Sequence, residues 1–286
     1  MTAQIALHIG AHKTATTHLQ RSLAAQADVL RAAGVRFFGP PVFRNGASLP
    51  DRFGLTGAVT PDQAKASFAR MAGDAQRVII SEENFIGTMH NRFGQMAFPL
   101  YPRGPERISK LAARIAPDGV DVFLGLRNPA TYISSCYCQA LLGGHKVVLD
   151  DVKAHNKITA IDWADLVTRI TGAAGVRSLT VWRYEDYRAL FSQITASLVG
   201  QDLSIPPIQT LINSGLSQEA VARTLMRYAD GKGRQAAVRA RDKFPVGPDH
   251  PPFDAFDAWE HAEATARYDA QIAQIDAMAD VTLLKA

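Results

Sequence analysis

The feature that most constrains this chain lies at its start. Ile5-Ala6-Leu7-His8-Ile9 is an apolar run that ends in Gly10, crosses the turn Ala11-His12-Lys13-Thr14-Ala15-Thr16-Thr17, and enters a helical pattern from Leu19 to Leu30. A buried strand followed at once by a helix predicts an α/β fold. The helix start gathers backbone N–H groups of Lys13 to Thr17 and the positive end of the helix dipole, a combination that favours an anion. An ATP-type P-loop counted from Gly10 requires glycine at position 15 and lysine at position 16; Ala15 and Thr16 stand there instead, and the lysine comes earlier, at Lys13. A plainly structural reading of such a turn, in which threonines cap a helix, is also available.

A second segment has the same design. Val122-Phe123-Leu124-Gly125-Leu126 reads as a strand and runs into Arg127-Asn128-Pro129, followed by a helical pattern that contains Ser135. Asn128 can cap and Pro129 can fill the first helical turn, so Arg127 closes the strand and Ser135 sits on the helix. Val78-Ile79-Ile80-Ser81-Glu82-Glu83-Asn84 and Leu179-Thr180-Val181-Trp182-Arg183-Tyr184-Glu185 are two further strands ending in polar residues.

Lys13-Thr14-Ala15-Thr16-Thr17 resembles the Lys-(Ser/Thr)-Gly-Thr-Thr loop of sulfotransferases. Arg127 and Ser135, eight residues apart, resemble that family's 3′-phosphate motif. The Ser-Glu-Asn and Tyr-Glu strand ends, with Asn213-Ser214-Gly215-Leu216-Ser217, are similar to bacterial and carbohydrate-type members, and the resemblance runs over roughly residues 4 to 230. Ala15 departs from the family glycine. It implies either that positive φ is not needed there or that the loop is reshaped.

The resemblance implies a P-loop-like three-layer fold with a central parallel sheet of about five strands. It also implies 3′-phosphoadenosine 5′-phosphosulfate as sulfuryl donor, without a metal. Lys13, Thr14, Ala15, Thr16 and Thr17 would hold the 5′ end, Arg127 and Ser135 the 3′-phosphate, and Lys13 would stabilise the leaving phosphate. Glu83 is the first choice of base, as the match to the family glutamate, with a pKa expected to be raised in a partly dry site; Glu82 and His12 are alternatives. The acceptor would be a hydroxyl of a saccharide or glycolipid. A P-loop kinase-like phosphotransferase and a non-catalytic nucleotide-binding protein of the same fold are the rival readings.

Alternating apolar and helical patterns predict strands at about 3–9, 34–38, 77–81, 120–126 and 177–183. Helices are expected at 17–33, 61–72, 106–116, 129–142, 162–173 and 185–199. One domain over 1–286 is expected, with a core to about residue 200 and a helical extension over 201–286. Residues 39–59 and 84–105 read as loops over the strands' carboxyl ends, and a last helix is expected near 256–278.

At 286 residues and 47% hydrophobic, the chain can bury one large core. No apolar run approaches the length of a membrane span, and no leader pattern precedes the first strand, so a cytoplasmic location is the expectation. Cys136 and Cys138, two apart on a predicted helix, point about 200° apart and should not bond each other. His8 and His12 straddle strand and turn, so no metal is expected there. Net charge is +4. Arg223, Arg227, Lys232, Arg234, Arg239, Arg241 and Lys243 form a basic cluster; a solvated helix face and an anion site both fit it, whereas nucleic acid does not, for lack of interleaved aromatics.

Overall fold

A computed structural model describes residues 3–209, 215–228 and 233–286. Asn213, Ser214 and Lys232, named above, lie outside the described residues. Six strands form one parallel sheet: β1 (Gln4–Gly10), β2 (Val35–Phe38), β3 (Arg77–Ser81), β4 (Val120–Leu126), β5 (Val176–Arg183) and β6 (Val281–Leu284), in the order β2-β3-β1-β4-β5-β6. Every residue of β3 and β4 is buried, as expected for strands covered on both faces. Alternation divides them. Ile5, Leu7, Ile9, Val78, Ile80, Val122 and Leu124 face one core, and Ala6, Ile79, Phe123 and Trp182 face the other.

Helices fill both layers: α1 (Thr16–Ala25), α2 (Ala27–Ala32), α3 (Pro40–Arg44), α4 (Leu49–Arg52), α5 (Pro61–Ala72), α6 (Gly104–Ile115), α7 (Pro129–Leu142), α8 (Leu149–His155), α9 (Trp163–Thr171), α10 (Tyr187–Val199), α11 (Gln218–Tyr228), α12 (Gly233–Lys243) and α13 (Ala258–Asp276). Leu19, Leu23 and Leu30 of α1 and α2 pack with Phe191, Ile194 and Leu198 of α10 on one face. Helices α6, α7, α9 and α13 cover the other. The helix after β1 and the helix after the neighbouring β4 therefore leave for opposite sides of the sheet. That divergence opens a crevice at the carboxyl ends of β1 and β4, where ligands of open α/β sheets bind.

Start signals behave as their chemistry dictates. Thr60 and Gln63 form a reciprocal capping box on α5, and Asn128 caps α7 with Pro129 in its first turn. Four features differ from the sequence reading. The expected helix 17–33 breaks at Gln26; α3 and α4 occupy part of the 39–59 loop; α8 was not expected; and β6 adds a sixth strand after α13. Cys136 and Cys138 are buried free thiols. No described helix is long and apolar enough to cross a membrane.

Candidate active site

The turn after β1 is built for close approach. Gly10 has φ +103°, and a Cβ there would lie 3.0 Å from the Glu83 Cβ. The Ala11 N–H donates to the Gly125 carbonyl at 3.0 Å, tying the turn to β4. A Cβ on Gly125 would fall 2.8 Å from the Thr14 hydroxyl, so only glycine lets the turn and β4 sit this close. Thr14 Oγ1 donates back to the Ala11 carbonyl at 2.6 Å, closing the turn on itself.

Ala15 adopts φ 65°, ψ 19°, the left-handed conformation that a glycine would take without strain. Positive φ is therefore adopted here although the residue is not glycine. Ala15 also provides no side-chain cap for α1. The helix start is flanked by Lys13, itself at φ 63°.

Arg127 joins the two predicted motifs. Its Nη1 donates to the Lys13 carbonyl at 2.8 Å and its Nε to Thr131 Oγ1 at 3.0 Å, while the guanidinium stacks 4.2 Å from the Tyr184 ring centre. The Tyr-Glu strand end explains itself in the same place. Glu185 accepts from the Asn128 amide at 2.9 Å, holding the turn that follows Arg127. On α7, Thr131, Ser135 and Gln139 are half-buried at four-residue spacing and line one helix face. Arg127 binds the first, and Lys13 Nζ donates to the last at 3.1 Å. Ser135 sits between them with no side-chain hydrogen bond to a described residue. Burial pushes the Lys13 ammonium below its ordinary pKa, with the Arg127 charge adding to the effect.

The acidic pair behaves differently from expectation. Arg44, from α3, donates Nε to Glu82 Oε2 at 2.9 Å and Nη2 to Glu82 Oε1 and to Glu83 Oε1, the last at 2.8 Å. Glu83 Oε2 accepts from Gln20 Nε2 at 2.8 Å. Burial would raise the Glu83 pKa, but the bonds from Arg44 and Gln20 outweigh it and hold the carboxyl below its ordinary value. The expected rise is thus reversed, because an arginine some forty residues away in sequence closes on the pair.

His12 is equally committed. Its Nδ1 meets the Tyr101 hydroxyl at 2.8 Å and its Nε2 meets Asn84 Oδ1 at 3.1 Å, and burial lowers its pKa. His90 lies in the 84–105 segment, which the sequence marks only as a loop without a motif. Its Nδ1 must donate to the Asn91 carbonyl at 2.8 Å, which leaves Nε2 buried with no partner among the described residues. Burial lowers its pKa, opposed by that bond and reinforced by His145 and by the nearby charge of Lys13.

Beside the turn lies a cavity of about 550 Å³, within the usual range for small-molecule pockets. Phe43, Leu49, Phe85, Ile86, Ala97 and Pro102 give it an apolar lining. Asn84 and Tyr101, the two partners of His12, contribute to its wall. No group of three or more His, Cys, Asp or Glu residues suited to a metal ion occurs among the described residues.

No family model matches the chain, and no curated protein matches it. Among solved structures, the chain is similar to the crystal structure of a sulfotransferase from Alicyclobacillus acidocaldarius, with 13% identity and a TM-score of 0.44 over 87% of this chain and 98% of that one.

Proposed function

We propose that the protein is a sulfotransferase that moves a sulfuryl group from 3′-phosphoadenosine 5′-phosphosulfate to the hydroxyl of an acceptor bound in the adjoining cavity. The observation that carries this reading is the coupling of two anion-binding elements at one crevice: the uncapped start of α1 behind Lys13, and Arg127 hydrogen-bonded to the Lys13 carbonyl. A nucleotide with phosphate at both its 5′ and 3′ positions needs two such elements. Ala15 takes the left-handed conformation that a glycine adopts without strain, which supports reading the loop as a phosphate-binding one despite its departure from the family pattern.

In this scheme the loop amides with Thr14, Ala15, Thr16 and Thr17 hold the 5′-phosphosulfate, and Arg127 and Ser135 hold the 3′-phosphate. The acceptor oxygen bonds to sulfur as the sulfur–oxygen bond to the 5′-phosphate breaks, and that phosphate keeps the electron pair. Lys13 faces this growing charge. The acceptor proton needs a base with a free lone pair. Both nitrogens of His12 are engaged, whereas Glu83 accepts one bond at each carboxylate oxygen, from Arg44 and from Gln20, and keeps a lone pair on each. Glu83 is accordingly kept as proton acceptor, held in place by Arg44, with His90 as the alternative.

Single-turnover transfer from labelled donor tests these roles. Lys13→Ala should slow transfer by about 10²–10³ more than it weakens donor binding. Glu83→Gln should slow it by roughly 10²–10⁴ and abolish an acidic limb lying below pH 4.5. A limb below pH 6.5 that is lost in His90→Gln would move the base to His90.

A further inference from the structure

The cavity beside the turn has a chemistry of its own. Its polar side chains are mostly committed elsewhere: Glu82 to Arg44 and to the Asn84 amide, Asn84 Oδ1 to His12, and Ser48 Oγ to Asp51. A saccharide needs several uncommitted donors and acceptors at fixed angles, and the apolar lining offers few. Arg107 is the exception. It is half-buried, and among the described residues its guanidinium has one hydrogen bond, from Nη1 to the Phe85 carbonyl at 2.8 Å, and no carboxylate within ion-pair distance. Arg103 also lines the cavity; its partner Glu106 stands 3.6 Å away and is shared with Lys110 at 2.6 Å. Of the charged side chains that line the cavity, Arg44 and Glu82 neutralise each other and Arg103 leans on Glu106, which leaves Arg107 without an ion-pair partner among the described residues. Burial, then the Arg103 charge, press the Arg107 pKa down, with Glu106 opposing them.

We propose that the acceptor is an amphiphilic acid whose apolar body fills this cavity and whose anionic group pairs with Arg107, supported by Arg103. Its role as acceptor rests on the transferase reading; its binding does not. In small-ligand sites apolar walls supply affinity, and one unpaired charge fixes orientation. The hydroxyl to be modified would lie toward the wall formed by Asn84 and Tyr101, which hold His12 beside Lys13.

Calorimetric titration of the full chain with maltose, and with decanoate and decyl maltoside below their micellar concentrations, tests the proposal. Decanoate should bind about tenfold tighter than decyl maltoside, the margin expected of one charge-assisted contact, and maltose should not bind measurably. Arg107→Gln should remove most of that margin without changing the decyl maltoside affinity. Should that variant fail to fold, Arg103→Gln, at a residue 71% exposed, should shrink the margin in the same direction by less. Ala97→Trp, which fills the cavity, should abolish decanoate binding. Decyl maltoside or maltose binding as tightly as decanoate, or decanoate affinity unchanged in the arginine or Ala97→Trp variants, would overturn the proposal. Titration with 3′-phosphoadenosine 5′-phosphate on the same samples keeps the two readings apart: decanoate binding without nucleotide binding removes the donor site and leaves the anion-selective cavity standing.

Discussion

Arg44→Gln is the perturbation whose cost the structure defines most closely. The guanidinium spans Glu82 and Glu83, whose side chains are 5% and 11% exposed, while Arg44 itself is 43% exposed. Removing one partner from a fully buried ion pair costs about 3–5 kcal/mol, since a charge is stranded. Water reaching the open side of Arg44 softens that penalty, so about 2 kcal/mol is the expected loss. In a chain of this size that corresponds to a fall in Tm of roughly 3–4 °C. The pH dependence carries a sign. Glu83 is held below its ordinary 4.5 in the folded protein, so its contribution is present above that value and is lost as pH falls through the folded pKa. The stability gap between the wild type and Arg44→Gln should therefore be full at pH 7 and narrow below about pH 4.5. Glu83→Gln should cost less in the Arg44→Gln background than alone, because the two share one interaction. Urea unfolding of the four proteins at both pH values provides the data. A loss under about 0.5 kcal/mol, or a gap indifferent to pH, would refute the anchoring role of this cluster.

Arg127→Ala should weaken 3′-phosphoadenosine 5′-phosphate by about 10- to 100-fold and adenosine 5′-phosphosulfate far less, with Ser135→Ala showing the same selectivity at smaller size; equal losses in calorimetry would assign Arg127 to the fold alone. Ala15→Gly removes a left-handed alanine worth about 1–2 kcal/mol of strain but adds about 0.5–1 kcal/mol of unfolded-chain entropy. It should raise stability slightly, by up to about 1 kcal/mol in urea unfolding, and leave nucleotide affinity intact; a clear destabilisation would mean that the strain is relieved elsewhere.

The sheet was legible because its strands are unbroken apolar runs bounded by polar turns. β3 and β4 begin and end where the pattern predicts. β6 was missed because a four-residue strand after a long helix carries too little pattern, and α1 and α2 read as one helix because nothing in the composition around Gln26 marks a break. The loop and Arg127 were legible for the same reason as the strands, since both follow directly from a strand end. The environment of Glu83 was not, because Arg44 comes from an irregular segment and meets it only in the tertiary structure. The conformation of Ala15 was hidden as well; an alanine gives no sign of positive φ, whereas a glycine would have. His90 and the cavity beside the turn are products of loop packing, which periodicity does not reach.

The central claim is a paired 5′- and 3′-phosphate site that needs no metal. Calorimetric titration of the protein with 3′-phosphoadenosine 5′-phosphate in the presence of a chelator, set against ATP with Mg²⁺, tests it most directly. The account predicts tight, metal-independent binding of the bisphosphate nucleotide, with about 2.7 kcal/mol of added stability at a hundred times its Kd, and weak binding of ATP. Equal affinity for the two nucleotides, or binding of either that depends strictly on Mg²⁺, would contradict it.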